Sequence, residues 1–419
     1  MTSETNLTTL ADLTIGNPAV QECPYGYYKL MREQQPVHYD PHTDLWMIAD
    51  YHLAVEVLKN WETFSSQIDM RTDVGGPDLA ESNALFTKDG YIVPDVLTQV
   101  DPPRHTFYRS LIGKAFTGPV VKRMDEYLVD HANELIDAFI SKGQCDFKEE
   151  FAVPLPLGVI ADQVGAPRSD IHRFRIWTDA FVETLGIMLS PERRLECTKL
   201  IIEYQHYFVD RINEKKANPQ EDILSGLVAA RHEDGQPLTY EELLAILQQL
   251  MTAGNETTRN HLVASMKLLI EEPNLQIILR NDLAMVKKFV EESLRLESPT
   301  QGLFRIANHD TELGGYNVPK GAKIYLSYGS ANRDDKQFPN ADKLDITRHN
   351  VTKHLAFGYG IHRCIGQMLA RKELEIGIST ILQRIENITL KPGHPPIAHT
   401  PSFILRGIES LHITFDKIS

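Results

Sequence analysis

The feature that most constrains the fold is one long helical segment in the second half of the chain, TYEELLAILQQLMTAGNETTRNHLVASMKLLIEEP. It begins with a capping box, in which Thr239 and Glu242 can satisfy each other's free backbone N–H groups. No proline interrupts it before Pro273, which ends it. Gly254 and its threonine neighbours weaken the middle of this helix, which is typical of the helix bulges found at functional sites. Most of the preceding segment, from residue 101, is also helical, so we predict a mainly α fold.

The composition is that of a globular protein with a large core, since 42% of the 419 residues are hydrophobic. The formal net charge of −14 argues against a nucleic-acid-binding protein. The first twenty residues lack the basic and apolar regions of a signal peptide, and no apolar run approaches the roughly 20 residues that span a bilayer. The four cysteines are widely spaced, with no CxxC pair, which is typical of a reducing compartment: Cys23, Cys145, Cys197 and Cys364. We therefore expect a cytoplasmic monomer that binds neither nucleic acid nor membrane.

The turn and loop signals are spread evenly along the chain, which favours one domain. We expect residues 1–23 to form a loose arm ahead of a single domain, 24–419. The sequence predicts a β-hairpin in PVHYDPHTDLWMI, a helix in YHLAVEVLKN and strands after Ser298–Pro299. It also predicts a final β-hairpin in FILRGIESLHITF and a long irregular loop over 67–100, and loops of that length are usually functional.

The segment FGYGIHRCIGQMLAR places Cys364 among glycines, just ahead of a predicted helix. Gly358, Gly360 and Gly366 can adopt the positive φ angles of a tight turn. The positive end of the helix dipole would stabilise a thiolate at Cys364. These features suit a buried thiol, a nucleophile and a soft iron ligand alike, so the segment alone does not choose among them.

The same segment resembles the haem-thiolate loop of the cytochrome P450 family, Phe-x-x-Gly-x-x-x-Cys-x-Gly, which Phe357, Gly360, Cys364 and Gly366 match. With His362 and the following Leu-Ala-Arg, it is similar to the soluble bacterial members. The resemblance covers nearly the whole chain and implies the cytochrome P450 fold, a single mainly α domain with a small β region. It also implies haem b, iron protoporphyrin IX, with Cys364 as the axial ligand of the iron.

A second motif, Glu292-Ser-Leu-Arg295, matches the Glu-x-x-Arg of the same family. Residues three apart on a helix share one face, so the two charges can pair. The resemblance implies a third partner from a later loop, for which Arg348 is the candidate. The implied role is structural, a buried ion network that is costly to break by removing one partner.

A third motif, Ala253-Gly254-Asn255-Glu256-Thr257, resembles the Ala/Gly-Gly-x-Asp/Glu-Thr of the family's long distal helix. The resemblance implies catalytic roles for Thr257 as a hydroxyl donor and for Glu256 as an acid relay to solvent. Ala253 and Gly254 would leave room for dioxygen and water. A helix bent by its threonines would explain the same residues, and the two explanations are compatible.

The remaining site residues are carried over from the resemblance by position. The two haem propionates are assigned to His105, Arg109, Arg305 and His362, and Phe357 is placed in the haem site. Eight residues, apolar or neutral, are expected near the substrate, which suggests a hydrophobic molecule with few polar groups: Val96, Leu97, Gln249, Ala253, Gln301, Leu303, Phe403 and Ile404.

Six basic residues would surround the proximal haem face if the resemblance holds: Lys114, Lys122, Arg123, Arg363, Arg371 and Lys372. A basic patch on an acidic protein suits the docking of an acidic ferredoxin. Ordinary scatter of surface lysines would give the same pattern.

The activity implied is monooxygenation, in which one atom of O2 enters a terpenoid, steroid, fatty acid or aromatic compound and the other leaves as water. Electrons would come from NAD(P)H through a reductase and a ferredoxin or flavodoxin. Three alternatives are a peroxide-driven peroxygenase, a non-catalytic haem-thiolate sensor or ligand carrier, and a cysteine hydrolase. The Glu256–Thr257 pair argues against the first, and a hydrolase would need a general base better placed than His362.

Overall fold

The computed structural model describes residues 10, 13–68, 79–184 and 189–418. The described chain is mainly helical, as predicted. Its helices are α1 (Pro18–Glu22), α2 (Tyr25–Gln34), α3 (Tyr51–Lys59), α4 (Ala80–Asp89), α5 (Arg104–Gly113), α6 (Gly118–Lys122), α7 (Asp125–Phe139), α8 (Pro154–Gln163), α9 (Ile171–Thr184), α10 (Pro191–Ala217), α11 (Ile223–Ala229), α12 (Tyr240–Glu271), α13 (Pro273–Asn281), α14 (Val286–Leu296), α15 (Tyr328–Ala331) and α16 (Gln367–Arg384). None of these helices is both long and apolar enough to cross a bilayer.

The strands form three small sheets. They are β1 (Val37–Asp40), β2 (Leu45–Ile48), β3 (Phe64–Ser65), β4 (Gln144–Asp146), β5 (Gly302–Ala307), β6 (Thr311–Leu313), β7 (Tyr316–Val318), β8 (Lys323–Ser327), β9 (Ile385–Leu390) and β10 (His412–Lys417). The largest sheet has the order β1-β2-β8-β5-β3, with β2 and β8 parallel and the other neighbours antiparallel. The predicted hairpin over β1 and β2 is confirmed, since Val37 pairs with Ile48 and Asp40 with Leu45.

The predicted hairpin at the end of the chain is wrong. The tail supplies only β10, which lies between β4 and β9. The preceding residues make isolated bridges instead, from Thr300 to Leu405 and from His399 to Ile408. The apolar residues of β10 pair with β4 and β9 from earlier in the chain. These two strands take the place of the local hairpin partner that the sequence suggests.

The long helix α12 is present as predicted, with 32 residues. The Thr239 hydroxyl accepts a bond from the Glu242 N–H at 3.2 Å, and the Glu242 carboxylate accepts one from the Thr239 N–H at 2.9 Å. The expected bulge is wrong, because the helix is regular α from end to end. The hydroxyl of Thr257 donates to the Ala253 carbonyl within the helix, so it is satisfied without displacing a backbone bond.

The segment predicted as an irregular loop, 67–100, contains α4. The structure holds α4 against α10, where the Thr198 hydroxyl donates to the Ser82 hydroxyl at 3.0 Å. The Gln205 side chain accepts from the Tyr91 N–H and donates to the Tyr91 carbonyl. Residues 69–78 of this segment lie outside the described residues.

The N-terminal arm is described from residue 13 onwards, together with residue 10. Ile15 and Val20 are buried, and they belong to the same apolar cluster as Tyr27 and Met31 of α2. This part of the arm therefore packs on the domain. Where the arm gives way to the domain stays a prediction.

α12 joins the two largest apolar clusters of the described chain. Its first half, including Leu244 and Leu247, packs in one cluster, and its second half, including Leu262 and Met266, packs in the other. Between them, Ala253 and Gly254 are exposed. The two packed halves therefore fix the position of α12, while its middle, at Ala253 and Gly254, is left exposed.

Candidate active site

Cys364 lies just before α16, whose N-cap is Gly366. The backbone N–H of Cys364 donates to the Phe357 carbonyl at 2.8 Å, which closes the loop. Burial raises the pKa of the Cys364 thiol, while a hydrogen bond from the Gly366 N–H and the charge of Arg109 act to lower that pKa. The sulfur is unpaired, as are the other three cysteines. It is thus a free sulfur near a helix start, beside a guanidinium.

Two of the three loop glycines are required by the backbone. Gly358 and Gly360 have φ angles of +65° and +70°, in the left-handed region. A Cβ atom at Gly360 would also lie 2.2 Å from the Leu58 carbonyl oxygen. Gly366 does not use this freedom: its φ is −83°, because it caps an ordinary helix start.

A cluster of cationic and imidazole side chains lies beside this loop. The His105 and His362 rings are 4.3 Å apart between centroids. Burial, with the nearby charges of Arg305, His105 and Arg109, lowers the pKa of His362 to about 3. The pKa of His105 is lowered by burial and by Arg109. Removal from water and mutual repulsion both disfavour positive charge here.

This cluster is short of hydrogen-bond acceptors. His105 Nε2 and both ring nitrogens of His362 are buried without a partner among the described residues. In the part of the chain that the structure describes, the buried Arg305 donates only to the carbonyl of its neighbour Phe304, at 2.6 Å. The nearest carboxylate is that of Asp101, 4.0 Å from His362 Nε2, and it already accepts from Ser65 and Ser66. Unpaired donors of this kind fit an anionic group, and the two propionates of haem have the matching charge.

Glu292, Arg295 and Arg348 form one buried ion network. The Arg295 guanidinium donates to both carboxylate oxygens of Glu292, at 2.7 and 2.8 Å, and both side chains are fully buried. Arg348 Nε lies 3.1 Å from the same carboxylate. Arg295 also donates to the carbonyls of Asn332 and Ala341. The network therefore ties α14 to the loop that precedes the Cys364 segment.

The middle of α12 carries the acid and hydroxyl singled out in the sequence. The Thr257 hydroxyl donates to the Ala253 carbonyl at 2.8 Å. The Glu256 carboxylate accepts from the Asn260 amide at 2.9 Å and pairs with Arg259. Glu256 is buried, and in this arrangement its carboxylate is held by cationic and amide donors on its own helix.

The chain's match to a known family decides its identity. The profile of the cytochrome P450 family matches residues 178–415. The chain is 33% identical over 405 residues to "Cytochrome P450 109" of Bacillus spizizenii, an alignment that covers 94% of this chain and 92% of that protein. The chain belongs to the cytochrome P450 family. It is therefore a haem-thiolate monooxygenase that binds iron protoporphyrin IX.

Solved structures of cytochromes P450 share its fold. CYP109Q5 from Chondromyces apiculatus is similar with a TM-score of 0.86 and 30% identity, covering 98% of this chain and 100% of that chain. CYP109E1 from Bacillus megaterium, solved in complex with corticosterone, has a TM-score of 0.81 and 31% identity, covering 94% of this chain and 99% of that chain. These likenesses confirm the predicted P450 fold.

The residues that would hold haem in this P450 come from three elements. The Cys364 loop would supply the sulfur, and α5 would supply His105 and Arg109. β5 would supply Arg305. The Phe357 ring was assigned to the haem site, and the structure stacks it under the Arg371 guanidinium, at 4.3 Å. The Phe357 carbonyl accepts the bond that closes the loop, and the Phe357 ring packs against the Arg371 guanidinium.

Four of the eight predicted pocket residues are buried in this P450: Val96, Leu97, Gln301 and Phe403. The Gln301 amide donates to the Ser298 carbonyl and accepts from the Tyr28 hydroxyl. Phe403 packs against the Phe304 and Tyr325 rings, at 6.1 and 5.8 Å between centroids. An amide and a phenyl ring with these contacts are compatible with a core and with a pocket lining, so both assignments stay predictions.

The roles of the other pocket candidates in lining a substrate site also stay predictions. Gln249 of α12 donates to the Val96 carbonyl at 3.1 Å and to the Thr98 hydroxyl at 2.9 Å, so it anchors the 96–99 segment to the helix. Leu97 in that segment has a φ of +32°, which is rare for leucine. Ala253 and Leu303 are exposed, and Ile404 is partly buried.

The six basic residues predicted for the proximal face divide into two groups. Arg371 pairs with the buried Glu291, and Lys372 pairs with Asp125 at 3.1 Å. The other four are exposed: Lys114, Lys122, Arg123 and Arg363. The turn after α5 and the start of α6 lie against the Cys364 loop, because Phe116 approaches Gly366 and Met368 approaches Gly118.

Two acidic residues near the site were not predicted from the sequence, Asp101 and Glu291. Asp101 lies in the quoted segment DPPRHTFYR and links the 65–66 backbone to the imidazole cluster. Glu291 precedes Glu292 and bonds His354 and Arg371, which lower its pKa to about 2 against the effect of burial. The signal for Glu291 in the sequence was its position directly before the Glu-x-x-Arg motif. Glu291 points to the Cys364 side because neighbouring helical residues lie about 100° apart.

Proposed function

We propose that this cytochrome P450 inserts one oxygen atom of O2 into a hydrophobic small molecule, using electrons from NAD(P)H delivered by a ferredoxin or flavodoxin. The observation that carries the proposal is the exposed middle of α12, where Thr257 and Glu256 adjoin two small residues. In this family the haem supplies the reducible iron that activates O2, and a thiolate ligand favours cleavage of the O–O bond. The protein supplies the protons, the dry surroundings and the orientation of the substrate.

The proton-handling role falls to Thr257 and Glu256. The second oxygen atom leaves as water, which consumes two protons in each cycle. The Thr257 hydroxyl lies in the exposed stretch of α12, and its one hydrogen becomes available to the reaction when its bond to the Ala253 carbonyl is released. Glu256, tied to Arg259, which pairs with Asp179 at 3.2 Å, gives a path toward solvent. General acids placed in this way typically contribute a factor of about 10²–10⁴ in rate.

The substrate we propose is a terpenoid, steroid, fatty acid or aromatic compound. The pocket candidates Val96, Leu97, Ala253 and Leu303 are apolar, and such a lining selects for apolar area with few polar contacts. The corticosterone complex of CYP109E1 supports a steroid among these classes. Gln249 and Gln301 are the polar members, and the amide N–H groups of Gln249 are engaged by the 96–99 segment.

The electron donor we propose docks on the basic surface formed by Lys114, Lys122, Arg123 and Arg363. These side chains are exposed beside the loop that holds Cys364. The chain as a whole carries a net charge of −14, so a local basic surface would orient an acidic partner. Rim charges of this kind act chiefly on the association rate, which falls as salt screens them.

The test is a reconstituted reaction. Haem-loaded protein, a ferredoxin, its reductase and NADH are supplied with isotopically labelled dioxygen and a panel of steroids, terpenoids, fatty acids and aromatic compounds. We expect at least one panel member to shift the Soret band and to yield a product with one labelled oxygen atom, at a rate that falls with ionic strength. Turnover that needs only hydrogen peroxide would favour the peroxygenase instead.

Replacement of Thr257 by valine is expected to uncouple the reaction. Valine keeps the shape but loses the hydroxyl, so NADH consumption continues while its electrons leave as hydrogen peroxide. We expect the ratio of product to NADH to fall by about tenfold or more, a smaller loss than the factor of about 10²–10⁴ typical of general acid catalysis. Thr178→Val is a matched control, since the hydroxyl of this buried threonine bonds the Phe174 carbonyl in α9. Unchanged coupling in Thr257→Val would remove Thr257 from the mechanism.

A further inference from the structure

The segment 91–99, which follows α4, is held by side chains from two different helices. Apart from one 3₁₀ turn, it is in neither helix nor strand. Backbone N–H and C=O groups outside regular structure need partners from elsewhere, because a buried group left unpaired is costly. Two glutamine amides are among these partners, Gln205 of α10 and Gln249 of α12. The position of the 91–99 segment therefore depends on these two side chains.

The Gln205 amide makes a pair of hydrogen bonds with the backbone of one residue. Its oxygen accepts from the Tyr91 N–H at 2.8 Å, and its nitrogen donates to the Tyr91 carbonyl at 2.9 Å. These are the two bonds that a residue of a neighbouring antiparallel strand would supply. Because a backbone carbonyl can only accept, the bond to it fixes which way round the amide lies. Gln205, which is 1% exposed, thus holds Tyr91 in one place.

The contact with α10 leaves no room for a side chain at the preceding residue, Gly90. A Cβ atom there would lie 2.6 Å from Gln205 Oε1 and 2.8 Å from Ile202 Cγ1. The φ of Gly90 is −139°, which other residues also adopt, so the closeness of α10 is the constraint. The Thr198 and Ser82 hydroxyls are 3.0 Å apart. Positions 198, 202 and 205 share one face of α10, and this face holds α4 and the residues that follow it.

The other end of the segment is held by Gln249. Its amide nitrogen donates to the Val96 carbonyl at 3.1 Å and to the Thr98 hydroxyl at 2.9 Å. The helices α10 and α12 are themselves joined, because the Tyr204 hydroxyl donates to the Leu244 carbonyl at 3.1 Å. The 91–99 segment is therefore held between two helices that are bonded to each other.

We infer that Gln205 is a positioning residue for the substrate, because it fixes the backbone of the 91–99 segment and with it the places of Val96 and Leu97 in the predicted pocket. It acts through Tyr91, since both of its polar atoms are engaged there. The inference rests on the proposed monooxygenase function. A bulky ligand should bind less tightly when the segment is loosened, because the binding-competent arrangement is then only part of the population. A ligand too small to reach the segment should be unaffected.

The variant Gln205→Leu tests this role, since it removes both hydrogen bonds and keeps most of the side-chain volume. Haem-loaded protein is titrated with two azoles, which bind iron through a ring nitrogen and shift the Soret band. The dissociation constant of econazole, an imidazole with two bulky aromatic rings, should rise about tenfold, which corresponds to the net contribution of one to two neutral hydrogen bonds. The dissociation constant of imidazole itself should be unchanged.

Two further measurements separate positioning from catalysis. With a member of the substrate panel, NADH and a ferredoxin system, the KM of Gln205→Leu should rise by a similar factor while kcat is kept, because Thr257 and Glu256 are untouched. Hydrogen exchange at the Tyr91 amide should be faster in the variant, since this N–H has lost its acceptor.

The matched control is Gln276→Leu. Gln276 of α13 is buried, and its amide makes the same pair of bonds, with the N–H and the carbonyl of Ile388 in β9. Its replacement removes the same chemical contact from a different part of the chain. Both azole dissociation constants should therefore stay at the wild-type values in Gln276→Leu.

Gly90→Ala disturbs the same contact from the opposite side. Its methyl group would displace the Gln205 amide, so this variant should also weaken econazole binding and spare imidazole binding. Combined with Gln205→Leu it should add little, because both changes remove one interaction. Gly226→Ala in α11 is the control, since a Cβ there would meet nothing within 4 Å.

The inference is overturned if Gln205→Leu binds econazole as tightly as the wild type. It is also overturned if imidazole binding weakens by the same factor, or if Gln276→Leu weakens econazole binding equally. Should Gln205→Leu fail to fold, Gly90→Ala must show the selective loss. A wild type that binds both azoles but oxidises no member of the panel would contradict the proposed function, while the azole comparison would still decide the role of Gln205.

Discussion

Replacing Glu292 with glutamine is expected to destabilise the fold by about 3–5 kcal/mol, the cost typical of removing one partner from a buried ion pair. Glu292 is fully buried and is the shared anion for Arg295 and Arg348. Its loss leaves two guanidinium groups facing each other without a counter-charge. The free energy of unfolding, from urea denaturation followed by circular dichroism, measures the loss.

We expect variants of this ion network to lower the free energy of unfolding by different amounts. Arg348→Leu removes one cation but leaves the paired hydrogen bonds between Arg295 and Glu292, so we expect a smaller loss, about 1–3 kcal/mol. Lys29→Ala is the control, because Lys29 and Glu33 form an exposed pair on α2 with a separation of 4.0 Å. Such surface pairs contribute from about zero to 1 kcal/mol. Equal effects of Glu292→Gln and Lys29→Ala would show that the network does not hold α14 to the loop that precedes the Cys364 segment.

Replacing Cys364 with serine is expected to abolish monooxygenation. A serine hydroxyl is a harder and far less acidic ligand than a thiol, so it does not supply the electron density that favours O–O cleavage. The loop should survive the change, because its shape rests on the φ angles of Gly358 and Gly360 and on the bond from the residue 364 N–H to the Phe357 carbonyl. Circular dichroism should therefore match the wild type while product formation is lost.

The control for this variant is Cys197→Ser. Cys197 is a buried cysteine of α10, outside the haem-thiolate loop. Its replacement should leave turnover unchanged, whatever its small cost in stability. If Cys364→Ser kept wild-type turnover, the sulfur would not be the ligand that the chemistry requires.

The sequence was most informative where a motif implies a local geometry. The spacing of Glu292 and Arg295 predicts a shared helix face, and the structure places their charges in contact. The capping box at Thr239 likewise predicts the start of α12, since both of its hydrogen bonds are local. Arg348 was reached through the resemblance, because a contact across more than fifty residues has no local signature.

The sequence was least informative where several environments satisfy the same side chain. Gln301 and Phe403 fit a pocket or a core equally well, and their contacts with the Ser298 carbonyl and the Tyr325 ring are compatible with both. α4 lacks a start signal, because Leu79 at its N-cap makes no capping bond. Its position depends on contacts with α10, such as Thr198 with Ser82.

The central claim is that Cys364 ligates the haem iron, and the optical spectrum of the wild-type protein tests it most directly. Haem-loaded protein is reduced with dithionite, exposed to carbon monoxide and compared with the reduced protein alone. We predict the strongly red-shifted Soret band of thiolate-ligated haem, and we predict that this band is absent from Cys364→Ser. A band at the position typical of histidine-ligated haem in the wild type would contradict the account.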